Sequence, residues 1–158
     1  MTTKTLKPIA EFNEIAGFPK EPRGIYDKDV LFQKGLIEEE FNELTEAMKD
    51  GNISEVLKEA ADLIVVTSGL IHRLGYDADE VMDIVNSSNM SKFCDTEDEA
   101  IESVNHIKAN DGDRYTDVHY EKVGNRYVIY GTPVGKTGKK ILKGCGYWKV
   151  RGEHFKSD

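Results

Sequence analysis

The chain has 158 residues, of which 39% are hydrophobic and 32% charged, with a formal net charge of −8. That length and balance suit one compact domain with a core of its own and exclude a disordered chain; the acidic excess argues against a nucleic-acid polymer as partner, because neutralising backbone phosphates takes surplus Lys and Arg. No apolar run approaches the roughly 18 residues of a membrane-spanning helix, Met1 to Pro8 lacks the apolar stretch of a signal peptide, and Cys94 and Cys145 form no CxxC pair, so neither membrane, disulfide framework nor thiolate metal site is expected, and a cytoplasmic location is.

The first element is a short amphipathic helix over Ile9 to Phe18, carrying Ile9, Phe12 and Ile15. Pro19, Pro22 and Gly24 make Gly17 to Asp27 a connector. Phe32, Leu36, Ile37, Phe41, Leu44 and Met48 recur at helical spacing and predict a long helix from about Asp29 to Lys49, ended by Asp50-Gly51. Asn52, with Glu55 as capping-box partner, opens a second long helix to about Leu74. Its segment Ala60 to Ile71 is apolar around most of its circumference, so it is expected to be the most buried helix.

Asp77 with Glu80 opens a third long helix to about Ser91, and Thr96 with Glu99 a fourth to about Lys108. After Asp111 the character changes. Val118 to Val123 and Arg126 to Tyr130 flank Gly124-Asn125, a two-residue hairpin signal, and Ile141 to Val150 reads as a third strand or an ordered arm. The fold class expected is mainly α: an antiparallel helical bundle over residues 1–110, with a small C-terminal β-hairpin and arm over 111–158 of the same domain.

Chemistry concentrates on the two long helices. Glu40 and Glu43 are three apart on one, Glu59 and Asp62 three apart on the next, and side chains at i and i+3 share a helical face. The turn at Asp50 to Asn52 is short, so the helices should pack antiparallel and bring the two pairs together. Four like charges repel and raise one another's pKa values unless a cation compensates. An all-oxygen donor cluster is what Mg²⁺ requires, with Mn²⁺ an alternative. Asp62 lies within Ala60-Ala61-Asp62-Leu63-Ile64-Val65-Val66, where an ionised side chain is costly to bury. A metal so held would screen phosphate charge, orient a triphosphate and activate a water by lowering its pKa. The blander reading is that Glu-x-x-Glu pairs are solvated helix faces; Glu39, about 100° away around the helix, fits that reading or an outer position.

Leu36-Ile37-Glu38-Glu39-Glu40-Phe41-Asn42-Glu43-Leu44, followed by Glu59-Ala60-Ala61-Asp62-Leu63, resembles the MazG-like all-α nucleotide pyrophosphohydrolase superfamily, whose signature is ExxE and ExxD on consecutive helices. Val85-Asn86-Ser87-Ser88-Asn89-Met90-Ser91-Lys92-Phe93 and Gly138-Lys139-Lys140-Ile141-Leu142-Lys143-Gly144 resemble segments of its phage and bacterial branch. The resemblance implies a four-helix core and Mg²⁺-dependent cleavage of a nucleoside triphosphate between its α and β phosphates, giving a monophosphate and pyrophosphate. It also implies Glu40, Glu43, Glu59 and Asp62 as metal ligands and catalytic residues, Asn89 and Lys92 beside the nucleotide, and a homodimer or dimer of dimers. A competing class is a non-catalytic helical module that binds nucleotide or protein without turnover.

Other features fall to simpler readings. Gly131-Thr132-Pro133-Val134-Gly135-Lys136-Thr137 imitates a Walker A loop but is one residue short between its glycines, and Pro133 removes an amide donor. Asp111-Gly112-Asp113 begins like an EF-hand, but Thr116 and Lys122 stand where Gly and Glu are needed. Lys136, Lys139, Lys140 and Lys143 read as a solvated loop before a phosphate-covering flap, and Phe32, Tyr115 and Trp148 as core before base-stacking residues.

Overall fold

The structure, a computed structural model, describes residues 5–155. In chain order these form α1 (Lys7–Ile15), α2 (Lys28–Asp50), α3 (Ile53–Arg73), α4 (Ala78–Met90), α5 (Glu97–Asn110), β1 (Tyr115–Val123), β2 (Arg126–Pro133), β3 (Lys140–Ile141) and a 3₁₀ turn, Gly152–His154. The mainly helical fold with a small C-terminal sheet is thus the one the sequence predicts. Packing divides the chain into two compact units, one of the described residues up to Met82 with Phe155, the other Asp83–His154.

The first unit is built on the α2–α3 hairpin. Asp27 caps α2 by accepting the Asp29 amide at 2.9 Å, and Gly51 ends it with φ 68°, a left-handed conformation that costs glycine little. Asn52 then caps α3, its side chain accepting the amides of Ser54 and Glu55. So short a connection leaves only an antiparallel return. The register shows at its far end, where Gln33 Nε2 donates to the Val66 carbonyl at 2.8 Å. A Cβ at Gly69 would lie 2.7 Å from that Gln33 nitrogen, so a larger residue there would displace the Gln33 amide.

The hydrophobic pattern misleads in two places. On α1, Phe12 and Ile15 face solvent and Asn13 is the buried residue. On α3, expected to be the most buried helix, Ile53, Leu57 and Ile64 are 74%, 67% and 57% exposed, and on α2 Phe32, expected in a core, is exposed with Phe41 and Met48. The reason is geometric. A helix hairpin covers only the seam between its two members, and these helices carry apolar residues on more than one side. Apart from Val30, what α1, α2 and α3 bury is small or polar: Asn13, Gln33, Ala47, Glu59, Ser68, Gly69, His72 and Arg73. His72 Nε2 lies 3.0 Å from the Phe18 carbonyl, and the Arg73 guanidinium sits 3.7 Å from the Phe18 ring centroid.

The second unit packs α5 on an antiparallel sheet of order β1-β2-β3. Ala100, Val104 and Ile107 from α5 meet Cys94, Val118, Ile129 and Leu142 in one core, with Tyr115, Tyr120 and Tyr127 against it. The β1–β2 turn is the foreseen Gly124-Asn125, with Gly124 at φ 60°. Both strands run longer than the pattern indicated, and a bulge between Thr116 and His119 places Asp117 at φ 54°. Beyond the two residues of β3 the chain is an ordered arm, tied down by Leu142 N–H to the Ile129 carbonyl at 2.8 Å and Gly144 N–H to the Lys92 carbonyl at 2.9 Å.

Helix α5 starts at a complete capping box: Thr96 Oγ1 accepts the Glu99 amide and the Glu99 carboxylate accepts the Thr96 amide. Thr96→Ala should therefore cost about 1 kcal/mol, read as a lower urea midpoint at unchanged slope.

Candidate metal centre

Three of the four predicted carboxylates converge. One ligand oxygen from each of Glu40, Glu43 and Glu59 lies within 4.8 Å of the others. The i, i+3 spacing on α2 delivers Glu40 and Glu43 to one face, and the antiparallel return of α3 brings Glu59 opposite them. Asp62 stands outside this trio, although its charge is felt at Glu40. It is also not the buried member of its pair: Glu59 is only 6% exposed, whereas the Asp62 side chain is 40% exposed. Three residues advance a helix by 300°, which leaves Asp62 about 60° around α3 from Glu59 and towards solvent.

The sequence reading overlooked Lys58. Its ammonium lies 2.8 Å from Glu59 Oε1 and 3.1 Å from Asp62 Oδ2, and both bonds make it hold its proton more tightly than a free lysine. The available signal was its i, i+4 spacing from Asp62. Glu39 is exposed, as its position around α2 predicts.

One lysine does not neutralise the cluster. Glu40 Oε2 and Glu59 Oε2 are buried and accept no hydrogen bond among the described residues, a costly state for a carboxylate oxygen. Burial first, then the charges of Glu43, Asp62 and Glu59, push the Glu40 carboxyl above its ordinary range. Glu43 is raised chiefly by the hydrogen bond it shares with Glu59, then by that residue's charge. An open cavity of about 380 Å³ adjoins the trio, lined by Glu43, Glu46, Asp50, Glu55 and Glu59 with Asn42, Ala47 and Asn52. Unpartnered buried oxygens, an all-oxygen donor set and a mostly acidic cavity fit a hard divalent cation. Glu40, Glu43 and Glu59 are the residues that would hold it.

The predicted nucleotide contacts lie in the second unit. Asn89 is exposed at the end of α4, and Lys92, one turn on, donates to Asn89 Oδ1 at 2.8 Å. The tail lysines Lys136, Lys139, Lys140 and Lys143 are exposed, as a solvated loop requires; Lys139 also pairs with Glu121 and lies over the Tyr130 ring, and Lys143 lies 4.7 Å from the Tyr147 ring centroid.

Residues 12–89 match the family described as phosphoribosyl-ATP pyrophosphohydrolase. All four carboxylates fall inside the match and Asn89 is its last residue; Lys92 and the tail lie beyond it. An uncharacterised protein of Acanthamoeba polyphaga mimivirus is 35% identical over 148 residues, covering 87% of this chain and 57% of that protein. The chain thus spans little more than half the length of that relative.

A carboxyl whose folded pKa is raised favours folding below its unfolded pKa and loses that advantage as pH climbs through the folded value. In EDTA, Glu40→Gln should therefore be more thermostable than the unsubstituted protein, by a margin that widens from about pH 4 to about pH 7. Saturating Mg²⁺ or Mn²⁺ should reverse the order, because only the full carboxylate set gains strongly from the cation.

Proposed function

We propose that this protein hydrolyses a nucleoside or deoxynucleoside triphosphate to its monophosphate and pyrophosphate with a divalent cation, Mg²⁺ or Mn²⁺, as cofactor. The observation that carries the reading is the trio of Glu40, Glu43 and Glu59, with two buried carboxylate oxygens that no described group satisfies. The family match to pyrophosphohydrolases supports the reaction class, and the segments at Val85–Phe93 and Gly138–Gly144 favour the phage and bacterial branch.

When bound, the cation would neutralise the acidic cavity, polarise the scissile phosphate and acidify a water. The rest is work for the chain. Glu40 and Glu59, held by the close α2–α3 seam, fix the position of the charge, and Asp62 completes the donor set. Glu43, the third residue that would hold the cation, is exposed at the cavity edge, which places it to accept the proton of the attacking water. Asn89 offers donor and acceptor groups to the nucleotide and Lys92 a mobile positive charge to its phosphates.

The same reading includes a homodimer or dimer of dimers. Phe41 on α2 and Leu57 and Ile64 on α3 are apolar and exposed, and a second copy of the same face would cover them.

A panel of ribo- and deoxyribonucleoside triphosphates, with phosphoribosyl-ATP included, should release pyrophosphate and monophosphate in equal amounts in the presence of Mg²⁺ or Mn²⁺. Glu59→Gln should lower kcat by roughly 100-fold or more, as expected when a ligand itself is lost rather than a group supporting one. Cation and nucleotide binding without turnover across the panel would favour the non-catalytic module instead. Light scattering should give at least a dimeric mass, and Leu57→Asp with Ile64→Asp should shift it towards the monomer.

A further inference from the structure

Within the second unit the structure forms a pocket that the metal centre does not use. The end of α5, the start of β1, β3 and the arm enclose about 300 Å³, lined by Lys92, Arg114, Lys140 and Lys143 with Asp111 and Tyr115, above Ile107, Ile141 and Leu142. That volume is at the low end of the roughly 300–1,000 Å³ of small-ligand sites. Four cations face one carboxylate in a protein whose net charge is −8. Asp111 is already engaged with Arg114 at 3.4 Å, and among the described residues Lys92, Lys140 and Lys143 have no carboxylate partner. Lys92 Nζ donates to Asn89 Oδ1 and Lys143 Nζ lies over the Tyr147 ring, neither a counter-charge; in a chain this rich in acid, three lysines lining one pocket without a carboxylate partner is the reverse of how surface charges ordinarily disperse.

The arrangement is built in. Gly144 N–H is bonded to the Lys92 carbonyl, and a Cβ at Gly144 would lie 2.6 Å from that oxygen. A Cβ at Gly131 would meet Leu142 Cδ1 at 2.7 Å. Two glycines thus permit the approach that seats the arm and holds Lys140 and Lys143 beside Lys92. Arg114 is fixed at the mouth of β1, its amide donating to the Asp111 carbonyl at 2.9 Å and its carbonyl accepting from Val134 at 2.9 Å. The floor is buried and apolar at Ile107 and Leu142, a surrounding that strengthens each charge above it.

We propose that this pocket binds the diphosphate group of a small molecule, carried either by free pyrophosphate or by a nucleotide, without a divalent cation. A guanidinium and three ammonium groups match two adjacent phosphates with several oxygens each, and a diphosphate fits this volume where a polymer backbone does not. The pocket shares no residue with the carboxylate trio; Lys92 is common to it and to the hydrolytic reading, whereas Arg114, Lys140 and Lys143 belong to the pocket alone, so metal-free binding tested at Lys140 and Lys143 separates the two.

Calorimetry on the full chain in EDTA should show one pyrophosphate bound per chain, weakening as salt rises. Lys140→Gln with Lys143→Gln should weaken it roughly tenfold or more, the loss of two charge-assisted hydrogen bonds, while Glu59→Gln should leave it unchanged. ADP binding as tightly as pyrophosphate identifies a nucleotide as the source of the group, and pyrophosphate alone identifies the free anion. Amide NMR of the unsubstituted protein, which needs no variant to fold, should place the perturbations at residues 111–115 and 140–144. Sulfate at equal ionic strength producing the same response, unaltered affinity in the double variant, or perturbations elsewhere would overturn the proposal.

Discussion

The structure turns on like charges forced together. Glu40, Glu43 and Glu59 meet because α2 and α3 must return antiparallel through Gly51 and Asn52. Neither helix relieves the repulsion alone. Lys58 takes up one oxygen of Glu59 and one of Asp62, which leaves the buried second oxygens of Glu40 and Glu59 without a donor. The raised pKa values of Glu40 and Glu43 are the same fact seen in protons: with no other cation, the site favours hydrogen ions.

Much of this was legible. The caps at Asn52 and Thr96, the glycine stop at Gly51 and the Gly124-Asn125 turn are local signals, decided by the hydrogen-bonding needs of a few neighbouring residues, and they set the elements close to where they stand. The pairing of ExxE with ExxD followed from helix period and loop length, so the meeting of the two helices' acids could be read in advance. Which acid would be buried could not. Local hydropathy pointed at Asp62 because its neighbours are apolar, but burial depends on azimuth about the helix axis, and the seam passes through Glu59.

The same limit explains the apolar residues. Periodicity reports that a side chain at Phe32, Leu57 or Ile64 prefers to leave water; it does not say whether the surface that covers it lies in the same chain. Where the partners are local and numerous, as between α5 and the sheet, hydropathy and burial agree: Ala100, Val104 and Ile129 are buried where a pattern places them. Where an element has only one or two neighbours, they part company. The tail shows what one dimension omits. Lys139, Lys140 and Lys143 are exposed, as solvent-seeking charge in one dimension suggests, and only the folded chain reveals the rings of Tyr130, Tyr115 and Tyr147 near their ammonium groups.

The cost of the acidic centre bears on the choice between enzyme and binding module. A helix hairpin with no ion to hold would be more stable with Gln or Leu in place of Glu59, since a buried carboxylate oxygen without a partner is among the more expensive defects a fold can carry. Glu59 also faces a cavity whose own lining is largely acidic, so the defect is concentrated at one opening rather than spread over the surface. A protein that only bound a nucleotide's base or a partner's surface would have no physical need for that concentration, and a triphosphate entering such a cavity without a cation would be repelled. The geometry makes sense as one half of an electrostatic match whose other half is positive and arrives with the substrate or ahead of it.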